Sequence, residues 1–421
     1  MRRRSFAWSA LVVAAGLLGA LAWATWPAIA PTVPSVQSQA GSQIAMRGQV
    51  VVALGDCMVC HTSKTGAAYA GGLPLITPFG TIYTTNITPD PDTGIGKWSL
   101  EALRRAMRQG VSRDGHLLYP AFPYIHYTKM SDSDIEAAYT YLMTRTSVHY
   151  SPPENDLFLP LRFRPMLAFW NLLYLHPGTR PEISAKDPQV ERGRYLVDSL
   201  GHCAGCHSAL NPIGGEANPA FGGGHVDGWD APALTELEDS ALHWTEGQLA
   251  NYLRTGLSLE HGAAKGPMRA VTERLAEVQG EDVDAIAKYV MSIQVKGGAP
   301  TTAPLSTRSI EPNRRGTALF ASACASCHSA SASMTVSAKR PNLALSSSVV
   351  GKNPDNFIQT LLGGIPWNTP SGNIYMPPFK DSLTNEQIAD IAQYVRVEIG
   401  KQTAWSDLEG HIFHLRKEMQ P

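Results

Sequence analysis

The sequence predicts a mainly α-helical chain in which three small domains of one kind follow an N-terminal hydrophobic segment. Three observations support this fold class. One pattern of motifs recurs three times within 421 residues, each copy closes with a helix of a shared type, and no stretch shows the sustained alternation typical of strands. The composition, 43% hydrophobic and 17% charged, is ordinary for folded protein. A formal net charge of -1 offers no basic excess for phosphates, which excludes nucleic acid as an expected partner.

The N-terminal segment, residues 1–45, is expected to direct the chain out of the cytoplasm. Arginines at positions 2–4 precede an apolar run from about Phe6 to Ala30. A cleaved export signal would use the small-residue site Ala22-Trp23-Ala24, whereas an uncleaved anchor would use nearly the whole run. The anchor is favoured because the run continues past the cleavage site, and both alternatives place the remaining chain outside the cytoplasm.

Each repeat begins with Arg-Gly, continues through a short helical stretch to a Cys-x-x-Cys-His motif, and ends in a helix after a Gly/Pro-rich segment. The three openings are Arg47-Gly48, Arg192-Gly193 and Arg315-Gly316. The closing helices are predicted over Ile135–Leu142, Val283–Val290 and Ile388–Val395, and they align Tyr141, Tyr289 and Tyr394. Thr384 with Gln387 predicts a capping box, and Ser131 with Asp134 a weaker one. Ile388, Ile391, Ala392 and Val395 follow the spacing of one buried helix face.

The repeats set the expected domain boundaries. Domains one to three are predicted at 46–150, 186–298 and 312–400, with linkers at 151–185 and 299–311 and a tail at 401–421. The first linker contains an apolar patch, 157–175, which either packs between two domains or offers a docking surface to another subunit. The tail contains an amphipathic stretch around Leu408, Ile412, Phe413 and Leu415, which either covers a domain or lies on a membrane.

The three Cys-x-x-Cys-His motifs use every cysteine of the chain and predict covalent haem. The cysteines are Cys57, Cys60, Cys203, Cys206, Cys324 and Cys327, and the adjacent histidines are His61, His207 and His328. Two thiols on one helical turn can bond the two vinyl groups of a haem, and the next residue then lies under the iron as its proximal ligand. Zinc would require two pairs that converge on one ion, and a thioredoxin-like site would require a βαβ pattern. The motifs therefore predict three haem c groups in three tandem class I cytochrome c-like domains.

The sixth ligand of each iron decides between electron transfer and substrate chemistry, because a methionine thioether raises the potential and closes the site. Met376, in Ile-Tyr-Met-Pro-Pro, and Met268, in Gly-Pro-Met, are predicted as the distal ligands of the third and second haems. In the first domain Met130 is favoured, as the loop methionine in the right interval. His126 is its rival and would give a bis-histidine haem. Met107 and Met143 lie in helical patterns and are expected to be core residues.

Each proximal histidine also needs a hydrogen-bond acceptor that fixes the orientation of its ring. A backbone carbonyl near Pro341 is expected to serve His328. Other histidines, including His225 and His261, are expected at the surface or beside haem propionates.

Further motifs carry a family resemblance from about residue 47 to residue 400. They are Tyr69–Gly72, Gly80–Tyr83, Thr85–Asp90 and Tyr119–Tyr124. With the haem motifs, they resemble the tri-haem cytochrome c subunits of bacterial membrane-bound dehydrogenase complexes. The resemblance implies an electron-transfer subunit with no catalysis of its own, on the periplasmic side of the inner membrane. It implies a catalytic partner, either a molybdenum hydroxylase, a flavoprotein or a quinoprotein, and ubiquinone or the respiratory chain as acceptor.

One departure from the family pattern bears on the partner. In the family that the chain resembles, the alcohol dehydrogenase branch has the motif Pro-Ala-Met-Pro-Tyr, and Phe122 stands at the position of its methionine here. That branch also has a long C-terminal extension. Both points favour a molybdenum or flavin partner. Two alternatives are a cytochrome subunit of a terminal oxidase and a peroxidase-like haem enzyme with one open iron, for which the first domain is the candidate.

Overall fold

The computed structural model describes residues 19, 26–32, 42–178, 187–238, 243–295, 313–329, 331–332, 340, 343–365, 368–369, 372–373 and 375–419. Most of the predicted N-terminal segment, the linker 299–311 and Pro341 lie outside these ranges. Within them, no helix combines the length and the apolar character that crossing a bilayer requires.

The first repeat consists of helices around a small antiparallel sheet. Its helices are α1 (Gln43–Leu54), α2 (Cys57–Cys60), α3 (Leu100–Gln109), α4 (Tyr124–Tyr127) and α5 (Asp132–Met143). Strands β1 (Pro74–Thr77), β2 (Gly80–Tyr83) and β3 (Asp156–Leu157) pair in that order, with Pro74 opposite Tyr83 and Gly80 opposite Leu157. Two further helices follow the sheet, α6 (Leu159–Arg162) and α7 (Leu167–Tyr174).

The second repeat has the same order of helices with two short hairpins. Its helices are α8 (Pro188–Tyr195), which continues as a π-helical turn Leu196–Leu200, α9 (Ala204–His207), α10 (Glu246–Thr255), α11 (Gly266–Leu275) and α12 (Gly280–Ser292). The hairpins pair β4 (Gly224–Val226) with β5 (Trp229–Ala231), and β6 (Leu257–Ser258) with β7 (Gly262–Ala263).

The third repeat ends in an additional helix. Its helices are α13 (Arg314–Ala323), α14 (Ala325–His328), α15 (Ser347–Val350), α16 (Asp355–Gly363), α17 (Asn385–Tyr394) with a π-helical turn Val395–Ile399, and α18 (Leu408–Glu418), besides a 3₁₀ turn Leu343–Leu345. Strands β8 (Asn368–Thr369) and β9 (Gly372–Asn373) form a hairpin between α16 and α17.

The predicted closing helices are confirmed as α5, α12 and α17. Thr384 and Gln387 form the predicted capping box, and the Ser131 hydroxyl caps α5 by accepting from the Asp134 amide. The predicted buried face of α17 is at most 1% exposed at each of its four positions, which are Ile388, Ile391, Ala392 and Val395.

The Arg-Gly dipeptide joins the first helix of each repeat to its closing helix. A Cβ added at Gly48 would lie 2.0 Å from the Ala137 carbonyl oxygen, and one at Gly193 would lie 1.9 Å from that of Ala285, so each glycine permits backbone contact between two helices. The preceding arginine forms an ion pair with an acid of the closing helix in every repeat. The pairs are Arg47 with Asp134, Arg192 with Asp282, and Arg315 with Glu386 and Asp390.

The described residues fall into two compact units. One lies within Met1–Ser184 with Tyr195–His202, and the other within Ala185–Arg194 with Cys203–Pro421. The first unit contains the first repeat together with Tyr195–His202 of the second, and the second unit contains the rest of the second repeat and the third repeat. Three separate domains therefore remain a prediction of the repeat pattern.

The tail covers a domain, which was one of its two expected roles. Leu408, Ile412 and Leu415 of α18 are buried in the core of the third repeat, whereas Phe413 is 66% exposed on the opposite face. The amphipathic period of this helix therefore reflects packing on its own chain.

Candidate functional site

Each Cys-x-x-Cys-His motif forms one helical turn at the end of the first helix of its repeat. The histidine amide donates to the carbonyl of the first cysteine in all three, at 3.0 Å for His61, 2.9 Å for His207 and 2.9 Å for His328. This turn brings both thiols and the imidazole to one side of the backbone, as covalent haem attachment requires.

The thiols of the motifs are not activated as those of a redox pair are. All six cysteines are thiols, without a disulfide. Burial is the main cause that raises the pKa of Cys57 to about 12 and that of Cys324 to about 11. Redox-active cysteines have lowered pKa values, because the thiolate is the reactive form. The raised pKa values of these two thiols therefore argue against a redox pair.

Two of the three motif histidines are oriented by backbone carbonyls. His61 Nδ1 lies 2.6 Å from the Thr85 carbonyl oxygen, and His207 Nδ1 lies 2.7 Å from that of Pro232. A carbonyl only accepts, so Nδ1 carries the proton and Nε2 presents its lone pair for iron. Burial lowers the pKa of both histidines, which keeps the imidazoles neutral. Histidine and thiols therefore fit a covalent haem in these two repeats.

The same loop geometry presents both acceptors. The Gly71 amide donates to the His61 carbonyl at 2.8 Å, and the Gly223 amide donates to the His207 carbonyl at 2.9 Å. The amides of Ile87 and Leu234, each two residues after the acceptor, donate at 2.9 Å to the carbonyls of Tyr69 and Phe221, respectively. Tyr69 and Phe221 both adopt positive φ, at 65° and 62°, which shows that the two loops follow one path. The sequence feature that could have identified each acceptor is the apolar residue two positions after it, Ile87 or Leu234.

His328 fits the same scheme. Its Nδ1 is buried and has no hydrogen-bond partner among the described residues. Burial, and then the positive charges of Lys265 and Arg340, lower the pKa of His328. Pro341 lies two residues before Leu343, as Thr85 and Pro232 lie two before Ile87 and Leu234, so the Pro341 carbonyl remains the predicted acceptor.

His261 is a buried imidazole that the haem motifs do not use. It is 4% exposed and stacks on the Trp244 ring with centroids 3.5 Å apart, and its Nδ1 has no hydrogen-bond partner among the described residues. Burial lowers the pKa of His261 to about 4, so the ring is neutral. The predicted surface position of His261 is therefore wrong, and a position beside a haem propionate remains a prediction.

The predicted distal methionines lie at the ends of helices or in turns. Met268 occupies the first turn of α11, where a loop before the closing helix was expected. Met376 exchanges two backbone hydrogen bonds with Ile365, at 2.8 and 3.0 Å, and packs against the core of the third repeat. Met130 is fully buried in a turn after α4. Their assignment as iron ligands remains a prediction.

A common hairpin register places Phe122 where the second repeat has Met268. The Leu118 amide donates to the Gly110 carbonyl, and the Ala264 amide donates to the Gly256 carbonyl, each at 2.7 Å. Four residues later, the first repeat has Phe122 and the second has Met268. A haem in the first repeat would therefore need its distal ligand from another position of that repeat.

Two side chains of the first repeat are candidates for the distal ligand of the predicted haem. Met130 is 0% exposed and His126 is 4% exposed, and His126 Nδ1 lies 3.3 Å from the Asp198 carbonyl oxygen. Met107 and Met143 are buried inside α3 and α5, as expected of core residues.

The segment around Met130 is held at several points. Arg108 donates to the carbonyls of Thr128 and Met130, at 2.9 and 2.7 Å, and the Ser131 amide donates to the Tyr195 hydroxyl at 3.1 Å. The Tyr127 hydroxyl donates to the Gly55 carbonyl at 3.0 Å, just before the first haem motif. These bonds fix the backbone that would present a distal ligand.

Comparison with known proteins gives matches along most of the chain. Residues 190–294 match the family model described as cytochrome c, and residues 311–395 match that of cytochrome C oxidase, cbb3-type, subunit III. The chain is 34% identical to the gluconate 2-dehydrogenase cytochrome c subunit of Pantoea cypripedii, and the alignment covers 90% of this chain and 91% of that protein. It is 33% identical to the fructose dehydrogenase cytochrome subunit of Gluconobacter japonicus, and that alignment covers 89% of this chain and 83% of the relative.

One subunit of the nicotinate dehydrogenase of Pseudomonas putida is 43% identical over 95% of this chain. The chain spans only 34% of the length of that relative. The similarity therefore concerns one part of a longer polypeptide.

Proposed function

Because this chain belongs to the family of cytochrome c subunits of dehydrogenase complexes, we propose that it carries three covalent haem c groups and relays electrons from a catalytic subunit to ubiquinone or the respiratory chain. It is not itself a catalytic subunit, because the relatives that match most of its length are cytochrome subunits. The observation that supports three haems is the recurrence of one motif geometry, with the histidine amide bonded to the first cysteine of each pair.

The residues of the chain would bind and tune each haem. Haem iron supplies the one-electron chemistry when it is bound. The thiols of each motif would hold the cofactor, and the histidines His61 and His207 are kept in one tautomer by the carbonyls of Thr85 and Pro232. Met130, Met268 and Met376 would supply the further ligands and close the iron to substrate, which suits electron transfer and opposes a peroxidase-like role.

The partner that we favour is a dehydrogenase of the nicotinate type. The relative with 43% identity is a nicotinate dehydrogenase subunit, and Phe122 departs from the alcohol dehydrogenase pattern. A molybdenum hydroxylase or flavoprotein would then deliver electrons on the periplasmic side of the inner membrane, where covalent haem attachment takes place. The cbb3-type match, limited to residues 311–395, keeps a terminal-oxidase partner as the second candidate.

Isolation of the native complex tests this function. We expect mild detergent extraction, followed by chromatography at the haem absorbance, to yield the cytochrome with a large subunit that contains molybdopterin or flavin. A pyridine haemochrome assay should give three haems per chain. Co-elution with an integral-membrane oxidase would instead support the second candidate, and two haems per chain would contradict the count.

One apolar surface is suited to contact with the catalytic subunit. The inner side of α7 is buried through Leu167, Ala168 and Asn171, whereas its outer face exposes Phe169, Leu172 and Leu173 at 59%, 67% and 57%. Further large apolar side chains just before it are exposed, namely Phe158, Leu159, Phe163 and Met166. Exposed apolar surface on this scale is typical of an interaction site. We therefore assign the outer face of α7 to the partner subunit.

The double variant Phe169→Asp/Leu172→Asp should abolish co-elution of the catalytic subunit, because two charges on the outer face of α7 cannot be buried in an apolar interface. Co-elution is measured by chromatography, and haem spectra should stay unchanged. The control is Ile213→Asp, at an equally exposed apolar residue of the second unit (53%), which should leave the complex intact. Retention of the partner by the double variant would exclude this face as the interface.

A further inference from the structure

Three histidines and several carboxylates surround one cavity of the second unit. Hairpin β4–β5, the start of α16 and helix α18 enclose a space of about 220 Å³. Its titratable lining residues are His225, His411, His414, Asp355, Asp407 and Glu418. These side chains come from the second repeat, the third repeat and the tail, so no sequence motif brings them together.

Three ligand atoms already lie close enough for one ion. One ligand atom each from His225, Asp230 and Asp355 lies within 4.8 Å of the other two. His225 Nδ1 is 2.9 Å from an Asp230 oxygen, and His411 Nδ1 is 2.6 Å from an Asp355 oxygen. Ligands of tetrahedral Zn²⁺ at bond lengths of about 2.0–2.1 Å are about 3.3 Å apart, so small side-chain rotations convert these contacts into a coordination shell.

Neighbouring asparagines hold the Asp355 carboxylate and the Asp230 backbone. Asp355 is 7% exposed, and its second oxygen accepts from Asn353 Nδ2 at 3.0 Å. Asn356 brackets the Asp230 backbone, accepting from its amide at 2.8 Å and donating to its carbonyl at 2.9 Å. Such outer contacts orient ligating groups and strengthen metal binding. The His225 side chain is 53% exposed, which leaves an approach for an ion.

The surroundings favour a cation. Besides Asp355, the cavity is lined by the carboxylates of Asp407 and Glu418. Imidazole with carboxylate is a ligand set for Zn²⁺ and neighbouring divalent transition metals, whereas Ca²⁺ and Mg²⁺ prefer all-oxygen shells.

We propose that this cavity binds one divalent transition-metal ion of the Zn²⁺ class, with His225, Asp230 and Asp355 as ligands and His411 as the fourth. The ion would join the second repeat, the third repeat and the C-terminal helix. None of the four proposed ligands belongs to a haem motif, although the hairpin that carries His225 and Asp230 is flanked by Gly223 and Pro232, which both bond to His207. The site does not depend on the identity of the dehydrogenase partner.

Calorimetric titration of the untagged, haem-loaded full chain with ZnSO₄ tests the proposal, after dialysis against EDTA and then chelator-free buffer. We expect one Zn²⁺ per chain. The variants His225→Ala and Asp355→Asn should each weaken binding by more than about tenfold, since each removes a ligand. The matched control is His149→Ala, because His149 forms a similar pair with Asp90 at 3.3 Å in the first unit. The His149→Ala variant should bind Zn²⁺ with the same affinity as the wild type.

Thermal unfolding gives a second readout. Saturating Zn²⁺ should raise the unfolding temperature of the wild type and of His149→Ala but not that of His225→Ala, because an ion that binds only the folded state stabilises it by mass action. His225 is exposed, so this variant keeps its fold even if Asp355→Asn does not. Absence of Zn²⁺ binding to the wild type, or equal affinity in His225→Ala, would overturn the site and leave the His411–Asp355 pair as a contact that fastens the tail.

Discussion

Replacing Met130 by alanine is expected to convert one of three haems from low spin to high spin. Met130 is fully buried, its backbone is clamped by Arg108, and the position equivalent to Met268 is held by Phe122. Without the thioether, the first iron loses its sixth strong ligand. Its potential should fall by on the order of 0.1 V or more, within the range of about 0.8 V that axial ligation spans. EPR of the oxidised protein and a spectroelectrochemical titration measure both changes.

The rival ligand provides the matched control. His126→Ala should leave all three haems low spin, because Met130 is the predicted sixth ligand of the first iron and remains in this variant. Met268→Ala and Met376→Ala should each convert one other haem, so that the three methionine variants affect three different potentials. High spin in His126→Ala together with an unchanged Met130→Ala spectrum would reverse the assignment and make the first haem a bis-histidine centre.

Local patterns were sufficient to predict the closing helices. Periodicity and caps act within a few residues, and the buried face of α17 matches its predicted positions, including Ile388 and Ile391. The Arg-Gly repeat was visible in the sequence, but its cause was not. Gly48 and Gly193 are required because two helix backbones touch there, and that contact joins residues about ninety positions apart.

Long-range contacts account for what the sequence left open. The Thr85 and Pro232 carbonyls reach their histidines 24 and 25 residues away through loops, and no local pattern encodes that distance. The segment containing α7 has no counterpart in the other repeats, so it was expected to be a linker. Amphipathic spacing showed that α18 has an apolar face, but only packing of residues such as Ile412 shows what covers it. The cavity between β4–β5, α16 and α18 escaped prediction for the same reason.

The substitution Gly193→Ala is expected to lower the free energy of unfolding of the second unit by about 3 kcal/mol, which is the upper end of the loss for an overpacked site. The added Cβ would lie 1.9 Å from the Ala285 carbonyl oxygen and 2.7 Å from the Tyr289 Cβ. Both obstacles belong to the closing helix α12, and neither is the end of a flexible side chain. Helices α8 and α12 would have to separate, and the ion pair Arg192–Asp282 would lengthen with them. Guanidinium unfolding followed by haem absorbance measures the loss.

The same substitution in another helix separates this steric effect from a general effect of alanine. Gly247 lies in α10 with no heavy atom within 4 Å of an added Cβ, so Gly247→Ala should be stabilising by up to about 1 kcal/mol through reduced freedom of the unfolded chain. Gly48→Ala should repeat the loss in the first unit, because its Cβ would lie 2.0 Å from the Ala137 carbonyl oxygen. If Gly193→Ala were as stable as Gly247→Ala, close backbone contact would not explain the repeated glycine. A loss confined to the unit that contains the substituted glycine would show that Gly48 and Gly193 each hold the first helix of their own repeat against its own closing helix.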